Sequence, residues 1–249
     1  DLSHFHKLLS VNVRNSDVTS LVLPNTALDR LYLSNSNITD LTLTDQTKLS
    51  SVDLTGCNKL NSIKYDRCNK FTGVTITDKQ NLQSINISSC AGLEEVFISG
   101  CTNLTSIEIQ NNPSLKKITI ADCTATNLDI QIIGSPLEDI RLSRIDSTVP
   151  IRLPEREYLS GVTRFEVRNI TRTSGYYYGN EPIETYGPSG DYVLDLTPMT
   201  SLKGENLFVV GTNVKYARFE NDPDNPVSIY SKTFERSDSL VRIFGHIKI

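Results

Sequence analysis

The chain has 249 residues, with 25 basic against 29 acidic side chains and a net charge of -4. That is long enough for one large domain or an elongated array, and it leaves no polybasic surface for nucleic acid or anionic lipid. No run approaches the roughly eighteen apolar residues that a membrane-inserted helix needs, and the five cysteines leave at least one thiol unpaired within the chain.

The first residues, Asp1-Leu2-Ser3-His4, carry neither a methionine nor a leader pattern; the expectation is a piece of a longer or processed precursor with flanking domains. Next comes a repeat. Leu8-Val11-Val13, Val18-Leu21-Leu23, Leu28-Leu31-Leu33, Ile38-Leu41-Leu43 and Leu49-Val52-Leu54-Cys57 share one phase. It continues through Leu60-Ile63-Tyr65-Cys68, Leu82-Ile85-Ile87-Cys90, Leu93-Val96-Ile98-Cys101, Leu104-Ile107-Ile109-Asn112 and Leu115-Ile118-Ile120-Cys123. Phe71-Val74-Ile76 adds a unit with a weaker start. Each unit contains one strand alternation rich in β-branched residues. Units ten or eleven residues long are too short to close a coil singly, so two units make one coil of about 22 residues with a parallel strand on each of two sides. The fold expected is an all-β solenoid, and no segment has a helical period.

Cys57, Cys68, Cys90, Cys101 and Cys123 all end their units, in the position that Asn112 also takes and where earlier units have Ser16, Thr26 and Ser36. A position shared by Cys, Asn, Ser and Thr calls for a small side chain that meets turn backbone at the coil corner. Cysteines eleven apart fall on opposite sides of a coil, beyond the reach of a disulfide or a shared metal. Same-side pairs, Cys68 with Cys90 and Cys101 with Cys123, stay open as disulfide candidates. The reading is a reduced structural ladder that Lys79 interrupts, with no metal and no cofactor.

The unit L-x-x-L-x-L-x-x-N/C, with "LTGCNKL", "ISGCTNL" and "IQNNPSL" joining successive units, resembles leucine-rich repeats, in particular the short two-strand variety of Bacteroidetes and phage surface proteins related to BspA-like and internalin repeats. The resemblance spans residues 8 to about 153. It implies a right-handed coil, an adhesive or recognition role, and an extracellular, cell-surface or virion setting.

Regular repeats are expected over 1–157, with an irregular continuation over 158–249. Eight of ten prolines fall from Pro136 onward and eight of ten tyrosines from Tyr158 onward. Strand-like alternation persists at Val162-Phe165-Val167, Leu194-Leu196, Leu207-Val209, Val214-Ala217-Phe219, Val227-Ile229 and Ile247-Ile249. Between them, residues 171–192 read as a long projecting Tyr/Gly-rich loop.

Two columns of alternating charge, Glu94-Lys116-Glu138 and Glu95-Lys117-Asp139, are what an in-register solvated sheet needs and do not by themselves suggest acid-base catalysis. The histidines, His4, His6 and His246, lie at the chain ends, away from any nucleophile. Candidate binding residues are therefore aromatic: Tyr32 and Phe97 on the strand side that carries the charge columns, and Tyr176, Tyr177 and Tyr178 in the loop, whose composition is that of a paratope. The alternative for the tyrosine run is that its rings pack back on the solenoid. The function expected is a non-enzymatic recognition or adhesion module whose partner is a protein or glycan on a cell surface. A structural spacer in a fibre is the alternative, and a polysaccharide-cleaving enzyme a distant third.

Overall fold

Each repeat's branched apolar pair needs burial on one face of a short strand, and the chain meets that need by stacking the strands. The computed structural model of the chain describes residues 1–24, 28–170, 175–182, 184–186, 192–202, 206–210, 216–219 and 227–230. The strands are β1 (Ser10–Asn12), β2 (Arg30–Tyr32), β3 (Asp40–Thr44), β4 (Ser62–Asp66), β5 (Gly73–Thr77), β6 (Ser84–Ser88), β7 (Glu95–Ser99), β8 (Ser106–Gln110), β9 (Lys117–Cys123) and β10 (Asp129–Ile133). They continue with β11 (Asp139–Ile145), β12 (Ile151–Leu153), β13 (Arg164–Arg168), β14 (Tyr176–Tyr178), β15 (Glu181–Pro182), β16 (Glu184–Tyr186), β17 (Tyr192–Asp195), β18 (Leu207–Val210), β19 (Tyr216–Phe219) and β20 (Val227–Tyr230). Among the described residues helix is confined to 3-10 turns, at Arg156–Tyr158 and at Asn206.

Successive units alternate between two sheets, so same-side strands are 22 residues apart through most of the array. One sheet runs β15-β14-β12-β10-β8-β6-β4-β3 and the other β18-β13-β11-β9-β7-β5. Pairing within both is parallel and in register, except for the antiparallel β14/β15 turn. Inward positions form one continuous core, in which Ile63, Ile85, Ile107 and Ile130 stack on one side and Val74, Val96, Ile118 and Ile140 on the other. The all-β solenoid with coils of about 22 residues is thus the observed architecture.

Coil corners explain the ladder. The residue before each ladder position takes a positive φ, as at Asn35, Asp45, Arg67, Asp78, Ser89, Asn111 and Asp122, with Gly56, Gly100 and Gly134 in equivalent places. This left-handed turn suits Asn, Asp and Gly. It also brings the next side chain inward against carbonyls of the turn. All five cysteines are buried and free. Cys57 Sγ lies 3.2 Å from Leu33 O, Cys68 Sγ 3.6 Å from Leu43 O, and Cys123 Sγ 3.3 Å from Ala121 O. Asn112 does the same work with an amide, donating to Ile87 O at 3.1 Å and accepting from Cys90 N at 2.9 Å. Gln46 holds the equivalent place one coil before Cys68, bonded to Leu28 N and Pro24 O at 2.9 and 3.1 Å. Lys79 interrupts the ladder as the sequence indicates, and it is only 7% exposed.

Not every unit forms a full strand. Residues 20–24 stay outside the ladder, and the Val52-Leu54 unit contributes one bridge, Tyr32 to Asp53. Pro24 supplies no backbone N–H to a ladder. Toward the C-terminus, β13 and β18 extend the solenoid sheet, whereas β16, β17, β19 and β20 form a separate four-stranded mixed sheet. Leu194 and the Ala217 and Val227 segments lie in that sheet, where Leu194 pairs in parallel with Ala217, and Leu194 and Leu196 are buried in the same core as the coils. The Thr26 ladder position, the Val214 start of its unit, the strand-like end Ile247-Ile249 and His246 fall outside the described residues.

Candidate functional site

The tyrosine run requires a correction. Instead of projecting from a loop, Tyr176, Tyr177 and Tyr178 form β14, which adds in parallel to β12 with Ile151 opposite Tyr176 and Leu153 opposite Tyr178. Strand alternation then turns Tyr176 and Tyr178 into the core and leaves Tyr177 outside. Tyr178 Oη donates to Asp195 O at 2.7 Å, and burial pushes its phenol pKa up. Tyr177 lies beneath the Arg152 guanidinium, 5.5 Å from the ring centre.

The outward face of the eight-stranded sheet is polar and internally bonded. Asn86 donates to Glu108 at 2.6 Å, Gln131 to Asp129 at 2.7 Å, and Ser88 to Asp66 at 3.2 Å. Asn86 Oδ1 on this face is buried without a hydrogen-bond partner among the described residues.

The six-stranded sheet presents a different surface. Register places Gly73, Glu95, Lys117, Asp139 and Arg164 in one outward row, and Thr75, Phe97, Thr119, Arg141, Glu166 and Phe208 in the next. Opposite charges meet as expected: Lys117 Nζ is 2.7 Å from Glu95 Oε1, and Lys116 Nζ is 3.3 Å from Glu138 Oε1. At one end Phe208, 7% exposed, lies beneath Arg164 and Arg168, whose guanidinium carbons are 4.6 and 5.4 Å from the ring centre, and both arginines pair with Glu166. At the corner of this sheet Arg144 forms a two-pronged pair with Asp122. The bond to Arg144 is the main reason that the Asp122 carboxyl is held below its usual range.

Phe97 stands half-buried at the centre of β7. At the start of β5, β7 and β9 is a depression of about 440 Å³ lined by Thr72, Gly73, Glu94, Glu95, Lys116 and Lys117; Phe97, two residues on from Glu95, lies outside that lining. Tyr32, the other aromatic candidate, sits on β2 with the Arg14 guanidinium carbon 4.0 Å from its ring centre. The candidate residues therefore do not converge. Phe97 joins the charge rows, Tyr32 lies at the N-terminal coils, and Tyr177 is on the opposite sheet. Sequence reasoning missed the depression, although its signal is present: Gly73 stands in the outward row where later coils carry Glu95, Lys117 and Asp139.

No nucleophile-base pair is formed by the exposed histidines His4 and His6, which lie in turns before β1. Among the described residues no three His, Cys, Asp or Glu side chains gather to hold a metal ion, and no helix is long and apolar enough to cross a membrane. Residues 25–123 match a family model described as the endo-beta-N-acetylglucosaminidase EndoS LRR domain. No curated protein matches the chain. Together, the match and the solenoid support a leucine-rich-repeat protein.

Proposed function

We propose that this leucine-rich-repeat solenoid is a non-enzymatic recognition module whose binding surface is the outward face of the six-stranded sheet, and that its partner is a protein or glycan at a cell surface. One observation carries the choice of face. Both sheets pair their outward polar and charged groups, but among the described residues the six-stranded sheet sets an aromatic ring with no arginine over it among those charges, whereas the outward Tyr177 of the eight-stranded sheet lies under Arg152. Interfaces concentrate their energy in such aromatic and charged groups when they are presented on a rigid support. The match to a repeat domain fits a protein-interaction role. A recognition module of this kind works as part of a larger surface or virion protein, and adhesion is the activity it would serve there.

A spacer role is the second reading, and the burial of Tyr176 and Tyr178 favours it, because it removes the loop that most resembled a binding element. Labelled protein applied to arrays of cell-surface proteins and glycans separates the two. On the recognition reading, Lys117→Gln and Phe97→Ala abolish the signal at a nearly unchanged melting temperature, while Lys64→Glu on the other sheet leaves it intact. A spacer shows no saturable binding to any array member.

A further inference from the structure

The outward aromatic side chains of the two sheets share a pattern with one exception. Tyr177 and Phe208 each lie against an arginine guanidinium, as does Tyr32 on β2. Among the described residues no cation or second ring stands over Phe97. Its row neighbours are Thr75 and Thr119, which are too short to cover a phenyl face. A half-buried ring with small neighbours is a platform that the protein itself leaves uncovered.

The depression lies further back along the same strands, around Glu95 and its row, and Phe97 does not line it. Glu95 precedes Phe97 by two residues on β7, about 6.7 Å along the strand. Across from Glu95 stands Gly73, whose missing side chain leaves the row open. The lining charges are Glu94 and Glu95 against Lys116 and Lys117, which balance and so provide no net field to select an ion. They do provide strong acceptors and donors within one ligand's breadth of an aromatic face. A ring that is apolar on one face and hydroxylated at its edge meets both demands.

We infer that Phe97 and the Gly73 depression form a subsite for a neutral pyranose ring. The C–H face of the sugar lies on the phenyl group, and its hydroxyls reach the Glu95 carboxylate and the Lys117 ammonium. This assignment rests on the recognition reading of the six-stranded face and narrows its ligand class to carbohydrate. The Gly73 backbone is not left-handed, and a Cβ there would find Glu95 O as its nearest atom at 3.9 Å. A larger side chain can therefore fill the depression without straining the strand.

Saturation-transfer NMR and calorimetry on the 249-residue chain provide the test. The probes are neutral tetrasaccharides of β-linked glucose, galactose, mannose and N-acetylglucosamine, with tetralysine and a tetragalacturonate as charged controls. At least one neutral probe is expected to bind with saturation transfer strongest at its ring C–H protons. Phe97→Ala and Gly73→Val should each weaken it at least about tenfold, on the order of 1.4 kcal/mol, with the melting temperature unchanged. The inference is overturned if no neutral probe binds, if binding survives both substitutions, or if a charged control is preferred. Loss of the carbohydrate result alongside a protein partner that still needs Lys117 would overturn this subsite and leave the recognition reading standing; absence of any partner on this face would overturn both.

Discussion

Cys123 shows how a single corner position combines packing with a small polar duty. Its thiol is fully buried and bonded to Ala121 O, and burial pushes its pKa up to about 12. Burial also raises Cys101, while the neighbouring thiols Cys68 and Cys90 shift in opposite directions through each other, Cys68 up and Cys90 down, so that Cys68 keeps its proton. A buried neutral thiol is a poor nucleophile. The native protein should therefore label slowly with a thiol reagent at pH 8, and all five cysteines should label once it is denatured without reductant. Fewer than five would reveal a disulfide. The same shift has a consequence for stability. A thiol whose folded pKa lies above the unfolded value of about 8.5 stabilises the fold below that pH, and the contribution is lost as pH rises toward the folded value. Denaturation midpoints should thus fall between pH 8 and pH 11, with a shallower fall in Cys123→Ala. The ladder was readable from the sequence because Cys, Asn, Ser and Thr share size and weak hydrogen bonding. Lys79 was not, because nothing in its residue type announces a side chain that is 7% exposed at a corner.

At the scale of the element, β14 shows where local composition misleads. "TRTSGYYYGNEP" carries loop signals on both sides of the tyrosines, yet three residues are enough for a strand once β12 offers an in-register edge. The spacing does contain the answer: Tyr176 and Tyr178 repeat the inward alternation of Ile151 and Leu153. An extra-long connection between units hid that phase. The strand assignment reverses the mutational expectation for a loop. Tyr178→Ala should cost about 3 to 5 kcal/mol by removing a buried ring together with the bond to Asp195 O, whereas Tyr177→Ala, outward and under Arg152, should change stability by less than about 1 kcal/mol. Equal effects of the two in chemical denaturation would contradict the alternation. The Gly73 depression was hidden for a related reason. Gly73 falls between the apolar positions of the Phe71-Val74-Ile76 unit, and only the register of β5 against β7 shows that it opens a row of charged side chains.

For the whole molecule, stability should vary along the axis, because each coil packs on its two neighbours and on little else. The array is uneven in this respect. Strands β6 to β11 are five or seven residues long and lie in register with strands on both flanks, apart from the outermost partners. At the N-terminal end β1 and β2 are three residues each, joined to the next coil by the Tyr32–Asp53 bridge, and residues 20–24 touch their neighbours through isolated bonds such as Leu2 N to Val22 O at 2.8 Å. Such a chain opens from its weak end. Amide exchange should be fastest over residues 10–32 and slowest over residues 84–142. Ile107, fully buried on β8 between Ile85 and Ile130, tests the coupling. Replacement by alanine should cost about 2 to 5 kcal/mol, and the loss of protection should centre on β6, β8 and β10 while residues 10–32 exchange as before. If the N-terminal strands proved as protected as β8, or lost protection equally in the variant, the solenoid would open as one unit, and the nearest-neighbour account of its stability would have to be abandoned.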